Sequence, residues 1–266
     1  MQVVKNYPDG IFCWVELSTT DPEAAKAFYM GLFGWEVEDI PTDMGGIYSM
    51  LKLEGKKVTA LSAMPPDIQS QGVPPFWTSY VKHSDVDAVA EKMVAAGGTV
   101  MFPPMDVMAY GRMTIGQDPS GAAFGVWQPG SHIGAELVNI PNTLVWNELQ
   151  TRQPDEAKAF YNTVFGWTGE ADESGYVVLE QNGRTQAGMI AMDENWPPEV
   201  PSNWSTYFMV EDVDAKIALA QKLGGNVLVP ATPAGEMGIF SVLQDPQGGT
   251  FTIMSFSGPV DSPPGY

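Results

Sequence analysis

The chain of 266 residues sets 32 acidic side chains against 13 basic ones, a net charge of −19, with 44% hydrophobic and 11% aromatic residues. That composition builds a globular core, and the charge repels phosphate backbones and anionic lipid, which argues against nucleic-acid or membrane partners. One cysteine, Cys13, and two histidines, His83 and His132, exclude an intramolecular disulfide and leave few soft metal ligands.

In chain order, a strand is expected over residues 12 to 18, with Val15 and Leu17 on one face and Trp14 and Glu16 on the other. A helix follows: Asp21 caps it, Pro22 suits its first turn, Ala25, Phe28, Leu32 and Phe33 form its apolar stripe, and Gly34 stops it. Three strands fit residues 35 to 37, 47 to 53 and 58 to 64. The pattern restarts at Phe76 with another strand, then a helix over 85 to 96 that ends at Gly97-Gly98, then strands near Val100, Met113 and Val126.

The second half repeats the first. "CWVELSTTDPEAAKAFYMGLFGW" from Cys13 returns as "VWNELQTRQPDEAKAFYNTVFGW" from Val145, with more than half the positions identical, and "WTSYVKHSDVDA" from Trp77 returns as "WSTYFMVEDVDA" from Trp204. The Gly97-Gly98 and Gly224-Gly225 pairs match, as do "QDPSG" and "QDPQG". The spacing between copies shortens by a few residues after Trp35, which places a deletion in a loop. Two domains are therefore expected at 1–131 and 143–257, with modules at about 10–66, 75–128, 143–193 and 203–256. Residues 132–142 form a linker and 258–266 a loose tail. No signal-like or membrane-spanning run approaches about 18 apolar residues, so the cytoplasm is the expected compartment.

The two "DPEAAKAFYMGLFGW"-type helices, the helices ending in Gly-Gly and the DPSG and DPQG turns resemble the vicinal oxygen chelate superfamily of glyoxalase I, bleomycin-resistance proteins and extradiol dioxygenases. The resemblance covers nearly all of residues 10 to 256. It implies an α+β fold of paired βαβββ modules, each domain a cup-shaped mixed sheet with helices outside and the site inside. In metal-using members, His, Glu or Gln on the first, fourth, fifth and eighth strands hold a divalent ion. Carried over, those positions are Trp14, about Leu61, Thr78 and Gly125 in the first domain, and Trp146, about Met189, Ser205 and Thr252 in the second. None is an ordinary ligand for iron, nickel or zinc, so neither metal nor other cofactor is expected.

Glu16 and Glu148 lie two residues beyond the first of these positions and share its inward face. Tyr80 and Tyr207, on the pseudo-symmetric fifth strands, are placed to donate to them. Two readings stand open: each Glu–Tyr pair is a structural anchor, or the glutamate serves as general base for enolisation or as ligand anchor. The candidate ligand-binding residues are Trp14, Thr78, Tyr80, Trp127, Trp146, Met189, Ser205, Tyr207 and Met254, with Glu16 and Glu148 as candidate catalytic residues. Trp77 and Trp204 alternate outward and should pack under helices, while His83, His132 and Arg112 read as surface residues. The expected function is metal-free binding of a small, mostly apolar or carbonyl-containing molecule, for sequestration or detoxification, by a monomer or weak dimer. The alternative is a lyase, isomerase, hydroxylase or dioxygenase, working through Glu16 and Glu148 or through a metal.

Overall fold

The computed structural model describes residues 3–43 and 45–257; the expected tail over 258–266 lies outside them. The first half contains β1 (Ile11–Thr19), α1 (Pro22–Phe33), β2 (Glu36–Pro41), β3 (Ile47–Leu53), β4 (Lys56–Ala63), a short α2 (Pro66–Ser70), β5 (Phe76–Lys82), α3 (Val86–Ala95), β6 (Thr99–Val107), β7 (Gly111–Gln117) and β8 (Ala123–Pro129). The second contains β9 (Leu144–Thr151), α4 (Pro154–Phe165), β10 (Val177–Gln181), β11 (Arg184–Ala191), β12 (Asn203–Met209), α5 (Val213–Lys222), β13 (Asn226–Pro233), β14 (Gly238–Gln244) and β15 (Thr250–Phe256). Each half forms its own mixed sheet, in the order β2-β3-β4-β1-β5-β8-β7-β6 and β10-β11-β9-β12-β15-β14-β13. This is the expected α+β architecture.

The helix ends follow from local chemistry. Asp21 accepts from the Ala24 N–H at the start of α1, and Gly34 closes it in the left-handed region at φ 71°. One expected strand is missing from the second half. The segment matching β2 makes only isolated bridges, Thr168 to Glu180 and Ala171 to Val177, because the deletion falls there.

The sheets are separate, but the cores are not. α1 lies between its own sheet and the second half: the Tyr29 ring meets Trp77 edge-on at 5.4 Å, while its hydroxyl donates to Asp245 in the DPQG turn at 2.9 Å. The pseudo-symmetric contact repeats this, with Tyr161 on Trp204 at 5.4 Å and donating to Asp118 of the DPSG turn at 3.1 Å. The Gly-Gly pairs have the same origin. A Cβ on Gly98 would stand 2.6 Å from the Phe160 ring, and one on Gly225 would stand 3.0 Å from Phe28, so each glycine admits a phenylalanine from the other half. Likewise the Trp35 indole donates to the Asn142 carbonyl, and that of Trp167 to Gly10, both at 2.8 Å. Both apolar clusters therefore mix the halves: Phe33 and Trp35 pack with Phe208 and Phe251, and Phe124 packs with Phe160 and Tyr161. The two halves are therefore interlocked.

Candidate functional site

On β1, Trp14 and Glu16 turn to the face away from the helices, and strand register fixes what surrounds them. Glu16 stands opposite Ala60 on β4 and Thr78 on β5, and Trp14 stands opposite Tyr80. Opposed residues share a face, so all five line one concave surface. The second half repeats it: Glu148 opposes Gly188 and Ser205, and Trp146 opposes Tyr207.

A directed relay of hydrogen bonds fills each floor. The Trp14 indole donates to the Tyr48 hydroxyl (3.1 Å), Tyr48 donates to Glu16 Oε2 (2.6 Å), and Tyr80 donates to Glu16 Oε1 (2.5 Å). In the second cup Trp146 donates to Tyr176 (3.1 Å), Tyr176 to Glu148 Oε2 (3.0 Å), and Tyr207 to Glu148 Oε1 (2.8 Å). The Gln150 amide adds a weaker donor to Glu148 Oε1 at 3.3 Å. Every donor points toward the carboxylate. Burial, reinforced by the adjacent glutamate, pushes all four phenols well above the ordinary tyrosine range, so they remain neutral donors. Burial also raises Glu148, against the lowering effect of its three donors.

The pairings of Glu16 with Tyr80 and Glu148 with Tyr207 are as the alternation predicts. Tyr48 and Tyr176 are additional. They occupy matching positions in the two copies, a signal present in the sequence but set within segments that otherwise match poorly.

Thr78, Trp127, Ser205 and Met254 also face the cups. Trp127 opposes Met113, Ser205 lies 3.2 Å from the Thr252 hydroxyl, and Met254 opposes Phe240. Met189 does not. It registers with Leu149 and packs in the cluster with Ala157 and Phe160 under α4, so the assignment of Met189 to the cup is off by one residue. Gly188 takes the inward position, and by the same logic Ala60 replaces Leu61, which registers with Leu17. Beyond the floor, Ile115 and Met113 continue the first cup onto Phe102 and Met105, which are 42% and 39% exposed. Phe240 and Val242 do so in the second cup.

Trp77 and Trp204 pack under helices as expected. His132 does not lie on the surface: it is 7% exposed, its ring edge-on to Trp14 at 4.6 Å and 5.7 Å from Trp127. His83 sits at the start of α3, its Nδ1 accepting from the Asp85 N–H. Arg112 is tied to Asp87 and Asp106.

The corrected ligand positions are Trp14, Ala60, Thr78 and Gly125, and Trp146, Gly188, Ser205 and Thr252. This donor set does not fit a transition metal. Their space is also taken: a Cβ on Gly125 would overlap the Tyr80 ring, and one on Gly188 would overlap the Tyr176 hydroxyl. Among the described residues, no group of three or more His, Cys, Asp or Glu gathers at metal-binding range.

Comparison with known proteins bears on the family. A profile of the Glyoxalase/Bleomycin resistance protein/Dioxygenase superfamily matches residues 11–126, and one of the Glyoxalase-like domain matches 146–254. The chain belongs to this superfamily. It is 45% identical over 253 residues to the protein named "Putative glyoxylase CFP32" of Mycobacterium tuberculosis (strain CDC 1551 / Oshkosh), covering 93% of this chain and 95% of that one. It is 32% identical over 262 residues to the anthracycline biosynthesis protein DnrV of Streptomyces peucetius, covering 93% and 94%. Among solved structures, the Mn(II)-bound glyoxalase from Novosphingobium aromaticivorans matches 96% of this chain and 85% of its own, at a TM-score of 0.64 and 17% identity. The 2,3-dioxygenase LapB from Pseudomonas sp. KL28 matches 96% of each chain, at 0.62 and 15%. At those identities the likeness is one of superfamily fold. No helix among the described residues is long and apolar enough to cross a membrane.

Proposed function

We propose that the chain binds a flat, mostly apolar, oxygen-bearing small molecule in its cups without a transition metal, serving to sequester or detoxify it. The observation that carries this reading is the relay itself: aromatic side chains fill the space of the metal ligands and converge on one carboxylate per cup. A carboxylate holding two phenol donors keeps acceptor capacity for a ligand hydroxyl or N–H. Walls of tryptophan, phenylalanine and methionine suit a planar ring system. The 32% identity to an anthracycline biosynthesis protein supports the polycyclic aromatic class for this chain as well. Glu16 and Glu148 are the ligand anchors, with Trp14, Thr78, Tyr80 and Trp127 lining the first cup and Trp146, Ser205, Tyr207 and Met254 the second.

One observation favours an enzymatic variant of the same site. Burial raises the proton affinity of Glu148, the direction a general base needs when it abstracts a proton next to a carbonyl. The 45% identity to a protein named as a glyoxylase is consistent with carbonyl chemistry. The two readings separate in one assay. Metal-stripped protein is titrated with a hydroxyanthraquinone and, in parallel, incubated with methylglyoxal. Saturable binding without turnover is the expected result. Turnover lost in Glu148→Gln would favour the proton-transfer reading instead.

A further inference from the structure

The two cups share a plan but differ beside the carboxylate. Glu16 accepts from Tyr48 and Tyr80 and is half-buried. Glu148 accepts from Tyr176 and Tyr207 and then from a third donor, the Gln150 amide at 3.3 Å, and it is only 9% exposed. Gln150 reaches it because the two-residue period of a strand returns the second residue along β9 to the same face. The matching residue on β1 is Ser18, and among the described residues no hydrogen bond joins it to Glu16.

Neighbouring positions carry the contrast further. Ser18 stands in register with Ser62 and Phe76, whereas Gln150 stands in register with Ile190 and Asn203. The Asn203 amide donates to the Pro201 carbonyl at 2.9 Å, so Gln150 is the amide of that pair that turns to the carboxylate. Across the floor, the Ser205 and Thr252 hydroxyls lie 3.2 Å apart and satisfy one another, while the first cup has Thr78 and Gly125 at those places. The second cup thus meets more of its hydrogen-bonding needs from within, and the first leaves more to a ligand.

We infer that Gln150 is the residue that sets the two cups apart: its amide takes the place of a ligand donor on Glu148, so a planar phenol binds the first cup in preference and enters the second only by displacing Gln150. This rests on the reading of the two glutamates as ligand anchors. An ionised carboxylate offers about four acceptor positions, so two protein donors leave Glu16 more room for a ligand hydroxyl than three leave Glu148. At 3.3 Å the Gln150 bond lies just beyond the usual N–H···O range, which makes it the weakest of the three and the one a ligand can replace. A ligand that must break it first gains correspondingly less from Glu148. The ligand class follows from the direction of the relay. The four phenols already donate inward, so what each floor has left to offer is a carboxylate acceptor, which attracts a phenolic O–H and repels a bare quinone oxygen.

Calorimetric titration of 2-hydroxyanthraquinone into the full chain with one cup silenced reads each site alone: Glu148→Gln leaves the first cup and Glu16→Gln leaves the second. The first cup should bind about tenfold more tightly than the second, the worth of one hydrogen bond to a charged group. Exchanging the two residues should move the affinities in opposite directions. Gln150→Ser in the Glu16→Gln background should tighten the second cup by about tenfold, and Ser18→Gln in the Glu148→Gln background should weaken the first by about as much. A gain of affinity in Gln150→Ser is not what loss of a purely structural contact produces. Glutamate-dependent binding that is equally tight in both cups, or that neither exchange moves, would overturn the role of Gln150 while leaving the glutamates as anchors. Absence of binding in both single-cup variants would overturn the anchor reading and this inference with it.

Discussion

Glu16 brings a carboxylate into an apolar cup, and the Tyr48 and Tyr80 hydroxyls are what make that tolerable. Tyr80→Phe strands one oxygen, so denaturant unfolding should show a loss of about 1–3 kcal/mol. Glu16→Gln keeps a hydrogen-bonding group of the same shape, so it should fold normally and lose first-cup binding. Two buried groups should also shape the acid side of the stability profile. His132 is held down to about 4, so its contribution is present above about 6.5 and is lost as pH falls toward 4. Glu148 is held above the ordinary glutamate value of 4.5, so its contribution runs the other way, shrinking as pH rises from 4.5 through its raised value. Acid unfolding should therefore become shallower in His132→Phe and steeper in Glu148→Gln, as followed by denaturant midpoints across pH 4 to 7. The glutamates and their fifth-strand tyrosines were legible from period-two alternation. Tyr48 and Tyr176 were not, because their strands diverge around them, and the burial of His132 depends on a connection whose path no local pattern encodes.

At the scale of elements, glycine marks where one strand makes room for another's side chain. The Tyr80 ring occupies the space above Gly125, and the Tyr176 hydroxyl occupies that above Gly188. Gly188→Ala should displace Tyr176, break the relay to Glu148, and cost about 1–3 kcal/mol by overpacking. Thermal unfolding should register that cost, and loss of second-cup binding should accompany it. The succession of elements along the first half and the caps of α1 were readable in advance, since Asp21, Gly34 and the alternating strands carry their own signals. The Met189 position was not, because a strand of continuous apolar residues, "AGMIA", gives no alternation to fix its register.

For the whole molecule, the decisive feature is that each half completes the other's core. Phe28 and Tyr29 reach Phe251 and Asp245, and Phe160 and Tyr161 reach Phe124 and Asp118. Residues 1–135 expressed alone should lack cooperative unfolding and dispersed amide resonances, whereas the full chain should unfold in one transition. Sequence repetition could not reveal this, because near-identical helices satisfy the same pattern whether each packs only on its own sheet or also on its neighbour's turn. The central claim is that the relay of tryptophan, tyrosines and glutamate binds ligand where the superfamily's metal ligands would stand. Calorimetric titration of a hydroxyanthraquinone into metal-stripped protein, metal-supplemented protein and the Glu16→Gln, Glu148→Gln double variant tests it most directly. The account predicts equal affinity with and without divalent metal and loss in the double variant; binding that appears only when metal is added, or that survives removal of both glutamates, would contradict it.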